Sequence, residues 1–362
     1  MDKPLRVCLV GYGYWSPKLI RNIKALPEFN LVAICEKDLA RHAHIKTEQP
    51  GIEIVRHYRD VFAREDIDAV VIATIPSSHY RIAKAALEAG KHVLVEKPLT
   101  LHTREGKELV QIAKNKKRLL MVDHTYLYSP AVQELKKLIS EGALGSLFAI
   151  ESLRTNLGLF QRDTNVVWDL APHDFSILLY LMDEKPYSVQ AIGTKTVIHP
   201  ALKHTQESSA HIILQYKSGI TAHVHVSWTS PIKKRQFMVI GSKQMALYDQ
   251  LEEKQLVVFD QGIYPNQQDG ESGPLFEYKI GETTPVEYDT QGEDLSRVLH
   301  DFALAIHTVQ TPRSDAALAL CVVSLLSATQ KSILQGGISV PINYDSSKGF
   351  NFLHIFRQFF SN

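Results

Sequence analysis

A chain of 362 residues exceeds what one hydrophobic core usually organises, so two domains are expected. Hydrophobic residues make up 44% of it and charged residues 22%, as in an ordinary globular protein. The 40 Lys and Arg nearly cancel the 39 Asp and Glu, giving a formal net charge of +1, which leaves no electrostatic case for nucleic acid or a membrane surface as partner.

Met1-Asp2-Lys3-Pro4 runs directly into an apolar segment without a signal-peptide pattern. No apolar stretch approaches the ~20 residues that span a bilayer, so a cytoplasmic protein is expected. Leu5 to Val10 is apolar on both faces and ends at Gly11, the pattern of a buried parallel strand. From Pro17, a good first helical residue, Leu19, Ile20, Ile23 and Leu26 recur at helix spacing. Leu31 to Cys35 is a second strand ending at Glu36, which completes one βαβ unit. Strands at Ala69–Ala73, Lys91–Val95 and Leu119–Val122 then alternate with helices at Arg81–Ala89 and Thr103–Asn115. This alternation predicts an α/β fold: an N-terminal Rossmann domain with a doubly wound parallel sheet over residues 1–123.

Beyond Asp123 the pattern changes. Val132–Ile139 and Phe175–Met182 are helical, and Ser188–Phe259 is dominated by alternating strands such as Ala210–Tyr216, Ile220–Trp228 and Gln236–Ile240. Lys217-Ser218-Gly219 suits a hairpin turn between two of them. Residues 265–287 read as irregular surface structure, and Leu295–His307 and Asp315–Leu334 as closing helices, the second a core helix. Residues 124–362 are therefore expected to form a C-terminal α+β domain with a mostly antiparallel, open sheet.

The loop Gly11-Tyr12-Gly13-Tyr14-Trp15-Ser16 places Ser16 where the third glycine of G-x-G-x-x-G would stand. The first glycine permits the tight turn and the second lets backbone approach a pyrophosphate, while the helix that follows offers free N–H groups. Glu36 lies near the distance at which a carboxylate takes the adenosine ribose hydroxyls, which favours NAD over NADP; Lys37 and Arg41 nearby moderate that preference.

Three further segments follow this loop: Ala73-Thr74-Ile75-Pro76-Ser77-Ser78-His79, Ala89 to Leu99 with Glu96-Lys97-Pro98, and Trp168-Asp169-Leu170-Ala171-Pro172-His173-Asp174. In that order they resemble the glucose–fructose oxidoreductase / inositol dehydrogenase (Gfo/Idh/MocA) family, essentially over the whole chain. The resemblance implies that Gly11, Gly13, Tyr14, Trp15, Glu36 and Lys37 bind the cofactor at the loop and the adenosine end. It places Thr74, Pro76, Ser77 and His79 along the nicotinamide half, and Glu96, Lys97 and Pro98 beside the nicotinamide ribose and substrate. It also makes Lys97–Pro98 a candidate cis peptide, and Lys97, Asp169 and His173 the catalytic residues.

That constellation makes chemical sense. Asp169 and His173 are four apart, so a helix would point both from one face. Oxidising a secondary alcohol removes a hydride from carbon and a proton from oxygen, and an imidazole suits the proton. Lys97 could polarise the same oxygen or act as base, and Asp169 could orient the hydroxyl or the imidazole. Tyr126, Arg154, Asn156, Asn165 and Trp168 are the further candidate substrate contacts, with Arg154 able to meet a negative group.

Other features carry less. His223-x-His225 and His42-x-His44 lack a third ligand at metal spacing, so no metal is expected. Cys8, Cys35 and Cys321 sit in apolar runs and read as reduced, buried thiols. Lys114–Arg118 reads as a solvated helix end. The expected activity is hydride transfer between NAD and a secondary hydroxyl or keto carbon of a sugar. The variant loop resembles a subgroup acting on nucleotide sugars in polysaccharide biosynthesis, which points to C3 of a UDP-N-acetylhexosamine. Dehydrogenation of inositol or a free sugar, reduction of a nucleotide-linked ketosugar, and a non-catalytic NAD-binding sensor are the alternatives. An open sheet face is an aggregation risk unless covered, so a homodimer or homotetramer is expected.

Overall fold

The computed structural model describes residues 3–161, 163–197, 206–265 and 275–344. Strand β1 (Leu5–Val10) buries every residue but Arg6, as its two apolar faces require. Helix α1 (Ser16–Ala25) and strand β2 (Phe29–Cys35) complete the first βαβ unit. Next come α2 (Leu39–Glu48), β3 (Glu53–Val55), α3 (Tyr58–Phe62) and β4 (Ala69–Ile72). Helix α4 (Pro76–Glu88), β5 (His92–Glu96), α5 (Thr103–Lys116) and β6 (Leu120–Asp123) follow. The six strands form one parallel sheet in the order β3-β2-β1-β4-β5-β6. The order reverses between β1 and β4, so a crevice opens at their carboxyl ends.

After β6 a 3-10 turn (Thr125–Tyr128) leads into α6 (Pro130–Ser140), β7 (Leu147–Leu157) and α7 (Val166–Leu181). Strands β8 (Ser188–Thr194), β9 (Ser209–Gln215), β10 (Thr221–Ser227), β11 (Thr229–Gly241) and β12 (Met245–Asp249) come next. They are followed by β13 (Leu256–Pro265), β14 (Phe276–Pro285), α8 (Asp294–Thr308), α9 (Ala316–Leu334) and β15 (Val340–Pro341). The second sheet is ordered β14-β13-β12-β11-β7-β10-β9-β8-β15 and is antiparallel except between β7 and β10. The chain reverses between β9 and β10 at Lys217-Ser218-Gly219, closed by Gly219 N–H to Tyr216 carbonyl at 3.1 Å.

Two helices begin earlier than their sequence patterns suggest. Helix α4 starts at Pro76 rather than Arg81, because Ile75 is extended and Pro76 supplies the preset φ of a first turn. Helix α7 starts at Val166 rather than Phe175: Asn165 caps it, accepting from Val167 and Trp168 N–H at 3.1 and 3.2 Å. Pro172 lies inside this helix without ending it, and the Asp169–His173 segment is helical. The irregular region expected over 265–287 is corrected at its end, where Phe276–Pro285 is strand β14. Phe276, Tyr278 and Ile280 alternate there with Glu277 and Lys279, although nearly every β14 residue is exposed; residues 266–274 lie outside the described residues.

Helix α9 is long and apolar enough to cross a membrane, but ten of its residues are buried against α7, α5, β6 and β8. It joins the two sheets. Helices α7 and α9 cover one face of the second sheet, while Glu151, Gln190, Ile192, His211 and His223 are exposed on the other.

Candidate active site

A cleft of about 710 Å³ opens at the carboxyl ends of β1, β2, β4, β5 and β6 and is closed on its far side by α7. At one end is the glycine loop. Gly11 has φ +96°, and a Cβ there would meet the Ala73 carbonyl oxygen at 2.6 Å, so β1 and β4 can approach only with glycine. A Cβ on Gly13 would find nothing closer than 4.0 Å; it would fill the cradle itself. The buried Ser16 hydroxyl accepts from Gly13 N–H at 2.9 Å and donates to the Gly11 carbonyl at 3.1 Å, bracing the loop from within. No side chain caps α1, so its positive end faces the cleft.

At the adenosine end, Glu36 is buried and accepts from Tyr12 N–H at 2.8 Å and Asp38 N–H at 2.9 Å. Arg41 lies 3.9 Å from it and donates to the Tyr12 carbonyl at 2.7 Å. These residues fit a dinucleotide: a glycine cradle that a side chain would fill, an uncapped helix end and an acid beyond the second strand.

Gly11, Gly13, Tyr14, Trp15, Glu36, Lys37, Thr74, Pro76, Glu96, Lys97 and Pro98 all line the cleft. Ser77 and His79 do not. Ser77 directs its hydroxyl to Asp163 at 3.2 Å, and His79 is buried between the carbonyls of Pro98 (2.8 Å) and Thr74 (3.0 Å). His79 therefore ties the loop after β4 to the loop after β5, where the Lys97–Pro98 peptide is cis. Burial disfavours its charged form.

At the other end Lys97, Tyr126, Trp168, Asp169 and His173 line the cleft together. The Lys97 ammonium donates to the Asp169 main-chain carbonyl at 2.6 Å and its carboxylate at 3.1 Å. The other Asp169 oxygen accepts from the Trp228 indole at 3.0 Å. Asp169 thus orients Lys97, and among the described residues it makes no hydrogen bond to the imidazole. His173 meets the Tyr126 ring edge-on at 4.8 Å, and its Nδ1 is buried with no partner among the described residues. Burial, then the charges of Lys97 and Arg154, push the His173 pKa well below the ordinary imidazole value, so the ring is neutral at neutral pH.

Three candidate substrate residues are used elsewhere. Arg154 is buried, pairs with Asp174 at 2.8 Å and lies over the Tyr126 ring at 4.6 Å, so it acts on the cleft through Tyr126. Asn156 accepts from Arg235 at 2.9 Å. Asn165 caps α7 and donates to Glu207 and Gln330. Sequence reasoning missed Trp228, which stands 59 residues beyond Asp169 and carries no motif, and missed Ser16 as a brace. It also missed Gln161, Gln250 and Asp294, lone polar residues that enter the cleft wall from loops and the start of α8. His223 and His225 lie on the outer sheet face, where His225 stacks on His211 at 4.1 Å. Among the described residues no three metal-ligating side chains are grouped to hold an ion.

Residues 5–124 match the model of an oxidoreductase family with an NAD-binding Rossmann fold, and residues 132–247 match the GFO/IDH/MocA C-terminal domain. The UDP-N-acetylglucosamine 3-dehydrogenase of Acidithiobacillus ferrooxidans is 34% identical over 54% of this chain and 60% of its own length. The inositol 2-dehydrogenase of Corynebacterium glutamicum is 28% identical over 63% of this chain and 68% of its own. The chain thus spans between about half and two thirds of the length of such relatives. A levoglucosan dehydrogenase solved with NADH has the same fold, with a TM-score of 0.79 at 21% identity over 94% of this chain and all of that one.

Proposed function

The chain belongs to the Gfo/Idh/MocA oxidoreductase family, and from that premise we propose that it oxidises a secondary hydroxyl of a sugar or sugar derivative. Residues 1–123 serve as the NAD domain and 124–362 as the substrate and assembly domain. One observation carries the reading: the Lys97–Asp169 pair and a neutral, half-buried His173 face the same cleft as the glycine loop.

Bound NAD supplies the hydride acceptor. Lys97 has three ammonium hydrogens, and Asp169 engages two of them, leaving one for the substrate oxygen. That donor stabilises the negative charge that grows on the oxygen as its proton leaves. The neutral His173 takes the proton, and Tyr126 holds the ring edge-on in place. Trp228 fixes the Asp169 carboxylate and so the direction of Lys97. Trp168 and Tyr126 give apolar surface against which a sugar ring can lie.

Within this reading the substrate is a nucleotide sugar, a UDP-N-acetylhexosamine oxidised at C3; the 34% identity to a dehydrogenase of that name supports it. A second reading, an uncharged polyol or free sugar, is favoured by the wall that the second domain presents. Among the described residues that wall offers Tyr126, Gln161, Thr164, Trp168 and Gln250 beside Asp169 and His173, and no cation to meet a diphosphate. NADH formation, screened with UDP-, dTDP- and GDP-sugars beside inositols and free hexoses, separates them. Turnover of at least one compound is expected, and none across the panel would leave a non-catalytic NAD sensor instead. Self-association through the exposed face of the second sheet, and a cytoplasmic location, belong to the same reading.

A further inference from the structure

The cleft contains two acids that this mechanism does not use. Glu96 ends β5 and Asp123 ends β6; the strands are parallel neighbours and the two residues are register partners. Both line the cleft. Asp123 is 2% exposed, and its Oδ1 accepts from the Thr125 hydroxyl at 2.7 Å. Asp123 Oδ2 and Glu96 Oε1 are buried with no donor from a neighbouring group among the described residues. Two ionised carboxylates cannot satisfy each other, since neither can donate; a single proton between them makes the missing bond and removes one charge.

The surroundings favour that arrangement. Lys97, next to Glu96 in the chain, is engaged by Asp169. His124, from the turn after β6, is buried and held neutral, its pKa pushed down to about 3 by burial and then by Lys97. Asp294, in the first turn of α8, adds an acid to the same wall, offset by Arg297 at 2.9 Å. Burial holds both Glu96 and Asp123 above the ordinary carboxylate range, and for Glu96 the charge of Asp123 adds to it.

We propose that the Glu96–Asp123 pair carries one shared proton before cofactor binds and releases it to solvent when the oxidised nicotinamide ring, a cation, enters the cleft. The inference rests on the dehydrogenase reading: the hydride acceptor must lie within bonding reach of the carbon whose hydroxyl Lys97 and His173 hold, and Glu96 adjoins Lys97. A carboxyl O–H bond breaks, the proton passes to water, and the pair goes from one negative charge to two, opposite the ring's positive charge. The reduced ring is neutral and provides no such drive. The pair therefore makes the choice between NAD+ and NADH depend on pH, with NAD+ affinity rising by up to about tenfold per pH unit while the pair titrates and NADH affinity unchanged by it.

The test is calorimetric titration of the full chain with NAD+ and with NADH, each in two buffers of different ionisation enthalpy. The expected result is release of a substantial fraction of a proton with NAD+ and none with NADH. Asp123→Asn should abolish the release. Thr125→Val removes the hydroxyl that favours ionised Asp123, and should move the release to higher pH. Equal proton counts for the two cofactors, or a release unaltered in both variants, would overturn the proposal. Failure of both cofactors to bind the wild-type chain would instead refute the dinucleotide reading itself, and this proposal with it.

Discussion

Replacing Asp169 by Asn tests how the cleft holds Lys97. In the native site one carboxylate oxygen faces the Lys97 ammonium at 3.1 Å and the other faces the Trp228 indole at 3.0 Å. An amide has one oxygen and one NH2, so it can accept from Lys97 or from Trp228 but not from both. The indole is buried, and a buried donor left without a partner costs roughly 1–3 kcal/mol. The lost ion pair adds less than its raw attraction. Both side chains are about one-fifth exposed, and solvent and desolvation reduce a pair of this kind to about 1–2 kcal/mol. Together these give roughly 2–5 kcal/mol in transition-state stabilisation, or about 30- to 5000-fold in kcat/KM. The assay is NADH formation with the substrate found by the panel, run as a cycle of Asp169→Asn, Lys97→Met and the double variant. Because only the ion-pair share acts through Lys97, the double variant should be slower than Lys97→Met alone by the indole share, about 1–3 kcal/mol, with a coupling of about 1–2 kcal/mol. Losses that simply add, with a coupling under ~0.5 kcal/mol, would refute the reasoning.

Gly11→Ala should lower stability by about 2–4 kcal/mol and weaken NADH binding, because the new methyl meets a carbonyl at 2.6 Å and the backbone is left-handed; thermal unfolding and fluorescence titration measure both. The acid limb of kcat/KM should lie below ~6.5, since burial and nearby cations disfavour the His173 imidazolium and its basic form persists as pH falls; a limb at or above that value would contradict the neutral base. If the chain self-associates through the exposed sheet face as proposed, Ile192→Glu should shift it to monomers in light scattering with little change in melting temperature; a monomeric wild type, or an unchanged mass, would contradict that interface.

The parallel sheet was legible because its strands are buried on both faces, so the apolar run from Leu5 to Val10 needs no alternation to be seen. The short elements α2, β3 and α3 escaped notice: α2 buries only Ile45, and β3 buries no residue fully. In the site, residues joined by local spacing were legible. Asp169 and His173 share a helix face, and Glu96-Lys97-Pro98 ends one strand. Contacts made by distant strands were not. Nothing near Trp228 announces that its indole meets Asp169, and nothing local distinguishes Arg154, which turns inward to Asp174, from a side chain that reaches the cleft. Polarity at a strand end is compatible with either direction, and packing decides it.

On the proposed reading this cleft passes a hydride from a substrate carbon to NAD while His173 takes the proton. The direct measurement is single-turnover oxidation of a substrate deuterated at the reacting carbon, followed by mass analysis of the reduced cofactor. The label should appear in NADH for the wild-type chain. His173→Gln should transfer it about 100-fold or more slowly while binding NADH as tightly as before. Unlabelled NADH, or wild-type rates in His173→Gln, would contradict the account.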